Sequence, residues 1–391
     1  MSSTTPLATA KHENLPETMR AFRLNAYGTN PAEVITEERI PLPSVTEPSL
    51  LVKGKPTQIL VRVAASALNP LDTKLGSGMA KAVQKCIFPL TPGSDFAGTV
   101  VSVPAGVDTD LRVGDRVCGS LDTIPRVAKH GHGTFSEFVA PQAAHVVRLP
   151  DSLSFAEGAG IGVVACTVWQ SFVGQLGITP PPEGHKVSPA AAGKKILILG
   201  GSSTCGIFTT QLARAWGFSD VTVTSTQEAL CKSYGATRVV NYRETAPEKQ
   251  WWNVLKGENF DVLYNAAEGR LGWDKCGNGV LKGCYAGGRY NTLVIDYPEK
   301  TFTWGMVGWT VGSVLWRKGI SWLGYPAYNL SLDTKIGGPG IAECTALASN
   351  GTLRIPVDAR GPFPATLDAM HRMWTIQHTN AARGKLVMAW D

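Results

Sequence analysis

The segment Gly200-Gly-Ser-Ser-Thr-Cys-Gly206 has the residue types and the setting to do chemistry. It follows an unbroken apolar run, Ile196-Leu-Ile-Leu199, and precedes Phe208, Leu212 and Trp216 at the helical spacing i, i+4, i+8. A glycine-rich turn between a buried strand and a helix lets backbone N–H groups and the positive helix end face a pyrophosphate. The strict GxGxxG spacing is absent, because Ser203 and Thr204 stand where a central glycine is expected. A plain strand–helix turn also favours Gly and Ser; the strand before and the helix after make the phosphate reading the stronger one.

The next strand, Val221-Thr-Val-Thr224, decides which dinucleotide suits the turn. Folds that bind NAD place an Asp or Glu there, about 20 residues past the glycines, to hold the ribose 2′-hydroxyl. Here the strand runs into Ser225-Thr226, and no acid appears until Glu228. Hydroxyls with Lys232, Tyr242 and Arg243 nearby would accommodate and neutralise a 2′-phosphate. Solvated helix and loop charges are the alternative reading of Lys232 and Arg243. The missing acid is the firmer half of the argument, and it favours NADPH.

Positioning such a turn requires a parallel sheet, and the sequence from Lys194 onward supplies one. After the first two strands come a helix over Gln227–Tyr234, closed by Gly235, and strands at Val239-Val240, Asp261–Leu263, Tyr290–Ile295 and Ile320–Leu323. Alternating strand and helix predicts a doubly wound α/β sheet over about residues 164–330. The preceding region reads differently. Ile59–Val63, Gly98–Val103, Asp115–Cys118 and Phe135–Val139 are short runs separated by Gly, Pro and Asp, which suggests a compact barrel-like β domain over about 20–163. Ser154 and Glu157 have capping-box spacing and predict a helix start. The tail from about residue 331, ending in Lys385-Leu-Val-Met388, adds a helix and strands and is expected to return to the first domain.

Composition narrows the classes further. The 391 residues are 43% hydrophobic and 17% charged, enough for a large core over two domains. The formal charge of +6 is carried by no basic run, which argues against nucleic acid. The eight cysteines form no CxxC pair and read as reduced core residues. The most apolar stretch, Trp304–Trp316, is interrupted by Gly305, Gly308 and Gly312 and falls short of the ~18 residues of a membrane span. The first residues lack the apolar region of a secretory signal. A soluble intracellular protein is expected, cytoplasmic or alternatively mitochondrial.

Several ordered motifs together resemble a known family. They are Ala67-Leu-Asn-Pro-Leu-Asp72, Phe88-Pro-Leu-Thr-Pro-Gly-Ser-Asp95, Gly114-Asp115, Gly133-Thr-Phe-Ser-Glu137, the Gly200–Gly206 turn, Lys232-Ser-Tyr-Gly-Ala236, Asn241-Tyr242 and Ala382-Arg-Gly-Lys385. The chain resembles the zinc-independent quinone oxidoreductase branch of the medium-chain dehydrogenase/reductase superfamily, with a further likeness to trans-acting enoyl reductases. The resemblance implies a GroES-like β domain, completed by the C-terminal segment, around a Rossmann domain. It implies that Ser202, Thr204 and Cys205 line the pyrophosphate and that Ser225 and Tyr242 meet the 2′-phosphate. It places Asn265 and Leu293 at the nicotinamide side, Thr167 close to the nicotinamide, and Arg383 at a cofactor contact near the chain end.

Departures from the pattern matter as much. Where zinc-dependent relatives carry a cysteine ligand this chain has the Asn69 region, and the four-cysteine structural lobe is missing. His130 and His132 have HxH spacing, but with no partner cysteines no metal is expected. The tyrosine that often donates a proton in related reductases is replaced, with Lys74 and Ala80 at the candidate places. Asn69, Lys74 and Thr167 are the candidates for polarising a substrate carbonyl. Each has a plain alternative: a turn residue, a surface charge and a packed helix residue. Trp304, Trp309, Trp316 and Trp322 suit the wall of a flat apolar acceptor, or else core or subunit interface. Two classes stay open: an NADPH reductase of quinones or conjugated carbonyls, the enoyl acceptor being free or carrier-bound, and a non-enzymatic NADPH-binding adaptor or redox sensor. Monomer and homodimer both remain open.

Overall fold

The computed structural model describes residues 15–45, 57–82, 84–121, 131–297, 301–331 and 337–390. An antiparallel pair, β1 (Thr18–Leu24) and β2 (Ile35–Pro41), opens the chain. A second sheet is built from β3 (Leu60–Leu68), β4 (Asp95–Ser102), β5 (Arg116–Ser120), β6 (Phe138–Val139) and β7 (Val146–Arg148). The predicted strand at Phe135–Val139 shrinks to its last two residues; Phe135 instead enters the core, and Ser136 folds back through its hydroxyl to Gly133 and Phe138 carbonyls.

The Rossmann-like sheet follows: β8 (Lys195–Leu199), β9 (Asp220–Thr224), β10 (Arg238–Val240), β11 (Val262–Asn265), β12 (Arg289–Thr292) and β13 (Ala327–Leu330). All its pairings are parallel, in the order β10-β9-β8-β11-β12-β13. Ile196 to Leu199 are fully buried, as expected for a strand covered on both faces. The helix Thr204–Trp216 buries Phe208, Leu212 and Trp216, and Trp216 packs edge-on against Trp169 and Phe172.

The last strands return to the first sheet. β14 (Phe363–Pro364) pairs with β15 (Leu386–Ala389), and β15 runs antiparallel to β3, with Leu386 opposite Leu68. This return brings the chain end against Asn69, more than 300 residues earlier.

Ile320–Leu323 is not the sixth strand. Trp304–Ile320 is one helix, capped by the Thr303 hydroxyl on Met306 N–H, and a 3₁₀ turn carries Ser321–Leu323 to Gly324 at φ +90°. The strand arrives only at Ala327. Its four glycines do not stop the helix, because its inner face is held by Arg317 and Ser313, both bound to Asp296, and by Arg317 to Tyr328 of β13.

Candidate active site

In the parallel sheet the chain runs outward from β8 to β9 and β10, then crosses back to place β11 on the other side of β8. Ligands of open α/β sheets bind beyond the carboxyl ends of the strands at such a reversal. Here that crevice is edged by the turn after β8 and the loop after β11.

The turn is tightly built. Gly201 N–H donates to Thr224 O at 2.9 Å and Gly200 N–H to the Thr224 hydroxyl at 3.1 Å. Ser203 is the helix N-cap: its hydroxyl accepts from Gly206 N–H at 3.0 Å and donates to Gly200 O at 2.7 Å. Ser203 therefore shapes the turn, and its hydroxyl is not a free phosphate donor. A Cβ on Gly206 would lie 2.2 Å from Gly200 O, so the helix can start this close to the strand only with glycine. The N–H groups of Thr204 and Cys205 belong to the first helical turn, which has no intrahelical acceptors for them. With half-buried Ser202 and Thr204 beside them, these residues fit a dinucleotide pyrophosphate. Burial pushes the Cys205 thiol up to about 11, so it stays a neutral lining group.

At the end of β9, Ser225 is buried; its N–H donates to Val240 O at 3.0 Å and its hydroxyl accepts from Gln227 N–H at 3.0 Å. Lys232 leans on Glu228 at 2.7 Å in an exposed i,i+4 pair, so the nearest acid is already engaged away from the strand end. Tyr242 is exposed, with the Arg243 guanidinium 6.0 Å from its ring centre.

Other expected cofactor residues separate. Asn265 is fully buried and organises its own loop: its Oδ1 accepts from Ala267 and Glu268 N–H at 3.2 and 2.8 Å, and its Nδ2 donates to Tyr290 Oη at 3.0 Å and to Glu268 O. Leu293 is half-buried beside it, its N–H donating to Asn265 O at 2.9 Å. Glu268 in the same loop is raised to about 7, because burial outweighs its bond from Trp251. Arg383 is exposed and is held by backbone: its N–H donates to Asp358 at 2.8 Å.

On the barrel side lies a buried polar cluster. Lys385 Nζ donates to Asp95 Oδ2 and to Asn69 Oδ1, both at 2.6 Å, and Asn69 Nδ2 donates to Asp95 Oδ2 at 2.9 Å. Asp95 Oδ1 accepts from Val163 N–H at 2.7 Å, at the start of the helix Gly162–Trp169, where a Cβ on Gly162 would lie 2.1 Å from the same oxygen. Asp72 takes Asn69 N–H at 2.7 Å and is raised to about 7, first by burial and then by repulsion from Asp95. Asn69 thus has both ends of its amide committed, which removes it as a free donor to substrate. It is also the N-cap of the helix Pro70–Gly76.

Two catalytic candidates remain only partly buried. Lys74 is half-buried on that helix, its ammonium has no hydrogen-bond partner among the described residues, and burial lowers its pKa. Thr167 is half-buried on the helix Gly162–Trp169, its hydroxyl donating to Val163 O at 2.8 Å.

Zinc does not fit the Asn69 region. The Lys385 ammonium occupies the Asp95 oxygen that takes the Asn69 amide, and among the described residues no group of His, Cys, Asp or Glu side chains converges as metal ligands there. Among the described residues, no three His, Cys, Asp or Glu side chains cluster as metal ligands; His130 of the HxH pair lies outside them. Sequence reading missed Asp95 and Lys385 as members of one site. The signal was present: each is a lone charge bordering an apolar strand, Asp95 before Phe-Ala-Gly-Thr-Val-Val and Lys385 before Leu-Val-Met388.

Comparisons with known proteins agree with this architecture. Residues 55–151 match the alcohol dehydrogenase GroES-like domain, and residues 205–329 match the zinc-binding dehydrogenase family. A trans-enoyl reductase of Macrophomina phaseolina is 33% identical over 316 residues, 77% of this chain and 82% of the relative. The mitochondrial NAD(P)H oxidoreductase RTN4IP1 of Danio rerio is 29% identical over 303 residues, 74% of this chain and 70% of that one. The quinone oxidoreductase from Coxiella burnetii superposes with a TM-score of 0.71 at 21% identity, over 95% of this chain and 99% of that structure, a likeness of fold.

Proposed function

The chain belongs to the medium-chain dehydrogenase/reductase superfamily, whose members are nicotinamide-dependent oxidoreductases, and we propose that it is an NADPH-dependent reductase of conjugated carbonyl acceptors that works without zinc. The observation that carries this reading is the crevice at the sheet reversal. Its glycine-rich turn is hydrogen-bonded to the end of β9, which runs into buried Ser225 and no acid, and exposed Lys232, Tyr242 and Arg243 follow along the chain. NADPH, when bound, supplies the hydride.

The protein's own residues do the rest. Thr204 and Cys205 N–H groups hold the pyrophosphate at the helix end. Lys232 exchanges its exposed partner Glu228 for the 2′-phosphate, a small loss, because such pairs contribute about 0–1 kcal/mol. Leu293 and the Thr167 helix bound the nicotinamide side and exclude water. Hydride arrival at an electrophilic carbon builds negative charge on the conjugated carbonyl oxygen. Lys74 is the cation placed to stabilise that oxygen and return a proton to it, because its lowered pKa makes it a better acid than a solvated lysine. Asn69 acts behind it, tying the helix that carries Lys74 to Asp95 and Lys385.

The 33% identity to a trans-enoyl reductase favours an enoyl thioester, free or carrier-bound, over a free quinone. Steady-state NADPH oxidation with an enoyl thioester, and with 9,10-phenanthrenequinone, tests the proposal. Turnover with NADPH at least tenfold above NADH is expected, and Lys74→Met should lower kcat and kcat/KM together. NADPH binding with no turnover of either acceptor would instead favour the adaptor reading.

A further inference from the structure

A backbone hydrogen bond ties the turn after Lys74 to the part of the chain that builds the parallel sheet. Phe302 N–H donates to Met79 O at 2.8 Å, with Met79 lying between β3 and β4 and Phe302 between β12 and β13. Each partner is fixed from its own side. At the end of the helix Pro70–Gly76, Lys74 O accepts from the Ser77 hydroxyl at 3.0 Å and from Met79 N–H at 3.2 Å, so Met79 folds back onto the turn that carries Lys74. Gly78 makes that reversal at φ +79°, where a Cβ would lie 3.2 Å from the Tyr27 ring. Tyr27 is itself held: its ring meets Phe88 edge-on at 4.7 Å, and its hydroxyl accepts from Cys86 N–H at 2.7 Å. Phe302 directly precedes Thr303, whose hydroxyl caps the helix Trp304–Ile320 by accepting from Met306 N–H at 3.2 Å.

The side chains of this pair have no structural employment to match their size. Met79 and Phe302 are both half-buried, and among the described residues neither belongs to a hydrophobic core of the barrel or of the parallel sheet. Their backbones are within hydrogen-bond distance, so the two side chains start from neighbouring points. The result is an apolar pair drawn from two distant segments, anchored from behind and set one turn from the lysine assigned to the substrate carbonyl.

The substrate class supplies what such a pair would meet, a step that rests on the enoyl thioester reading above. On the sulfur side, the substrate continues into a polar arm that gains nothing from apolar contact. Beyond the reacting double bond it continues into a hydrocarbon chain, and each methylene gains by leaving water. Methionine is flexible and polarisable enough to follow such a chain. The phenylalanine ring is rigid, and its bulk sets a limit.

We propose that Met79 and Phe302 are the specificity-determining pair for the acyl chain: the carbons beyond the reacting double bond lie against them, and the bond between their backbones limits how much chain is accommodated.

Steady-state NADPH oxidation with the crotonyl, hexenoyl and dodecenoyl thioesters of N-acetylcysteamine tests it, on wild type, Phe302→Ala, Met79→Ala and Phe302→Trp. The quantity read is the ratio of kcat/KM for dodecenoyl to that for crotonyl, which cancels any general loss of activity. One methylene in an apolar site is worth roughly 10–200-fold. Phe302→Ala and Met79→Ala should therefore each raise the ratio at least tenfold, and Phe302→Trp should lower it about as much. NADPH affinity by fluorescence titration should match wild type in all three, which establishes that they are folded. Variants that bind NADPH and keep the wild-type ratio would overturn the proposal and leave the enoyl reading standing. A wild type that reduces none of the three thioesters would overturn the enoyl reading, and the proposal with it.

Discussion

Two polar regions of the molecule, one in each domain, are polar in opposite ways. In the barrel, Asn69, Asp95 and Lys385 satisfy one another at 2.6–2.9 Å, with Asp95 and Lys385 almost wholly buried. After the end of β9, Lys232, Tyr242 and Arg243 are exposed, and Lys232 pairs with its exposed helix neighbour Glu228. The buried cluster is complete as it stands, and its low dielectric makes every member costly to remove. The exposed region is incomplete by design of its residue types: its charges gain little until a phosphate displaces water. One region holds the architecture in register; the other waits for a ligand.

The comparison predicts the largest effect where burial is deepest. Lys385→Met leaves the Asp95 carboxylate uncompensated and should cost about 3–5 kcal/mol of unfolding free energy. Urea denaturation of the wild type and variant would measure it. A loss below 1 kcal/mol would mean that the cluster contributes no more than the exposed region, and the contrast would fail.

Gly206→Val acts between the two regions, at the phosphate turn. Its Cβ would collide with Gly200 O, displacing the helix end that receives the pyrophosphate. NADPH affinity should fall at least a hundredfold by fluorescence titration, with the barrel still folded. Unchanged affinity in a folded variant would show that the turn does not hold the cofactor.

The smallest effect belongs to the exposed region. Lys232→Ala should leave stability within ~0.5 kcal/mol, as exposed substitutions do, and lower NADPH affinity about tenfold, the value of one charge-assisted contact near 1.5 kcal/mol. NADH affinity should not move. A parallel loss of both cofactors in the titration would place Lys232 elsewhere than at the 2′-phosphate.

Much of this was legible from sequence because the signals are local. The Ser154–Glu157 capping box, the buried run Ile196–Leu199, the helical spacing of Phe208, Leu212 and Trp216, and Gly235 closing its helix at φ +99° all depend on residues within a few positions of one another. The strand–turn–helix arrangement around Gly200–Gly206 was readable for the same reason. Position along the chain could offer Lys74 and Thr167 as candidates. It could not show that Ser203 spends its hydroxyl on the turn, or that Asn265 spends its amide on its own loop.

Tertiary structure alone decided the rest. Lys385 reaches Asn69 across 316 positions, and only the antiparallel pairing of β15 with β3 brings them together. No period or spacing encodes such a contact, since its geometry is set by the order of strands in a sheet. The helix Trp304–Ile320 shows the same limit from the other side. By composition its tryptophans belong inside, yet the Arg317–Asp296 pair claims the inner face, and the apolar side chains are turned out. Sequence fixes which residues favour a helix or a strand through local torsional and capping preferences. Which face is buried depends on the strongest long-range pairing available, and that exists only in the folded chain.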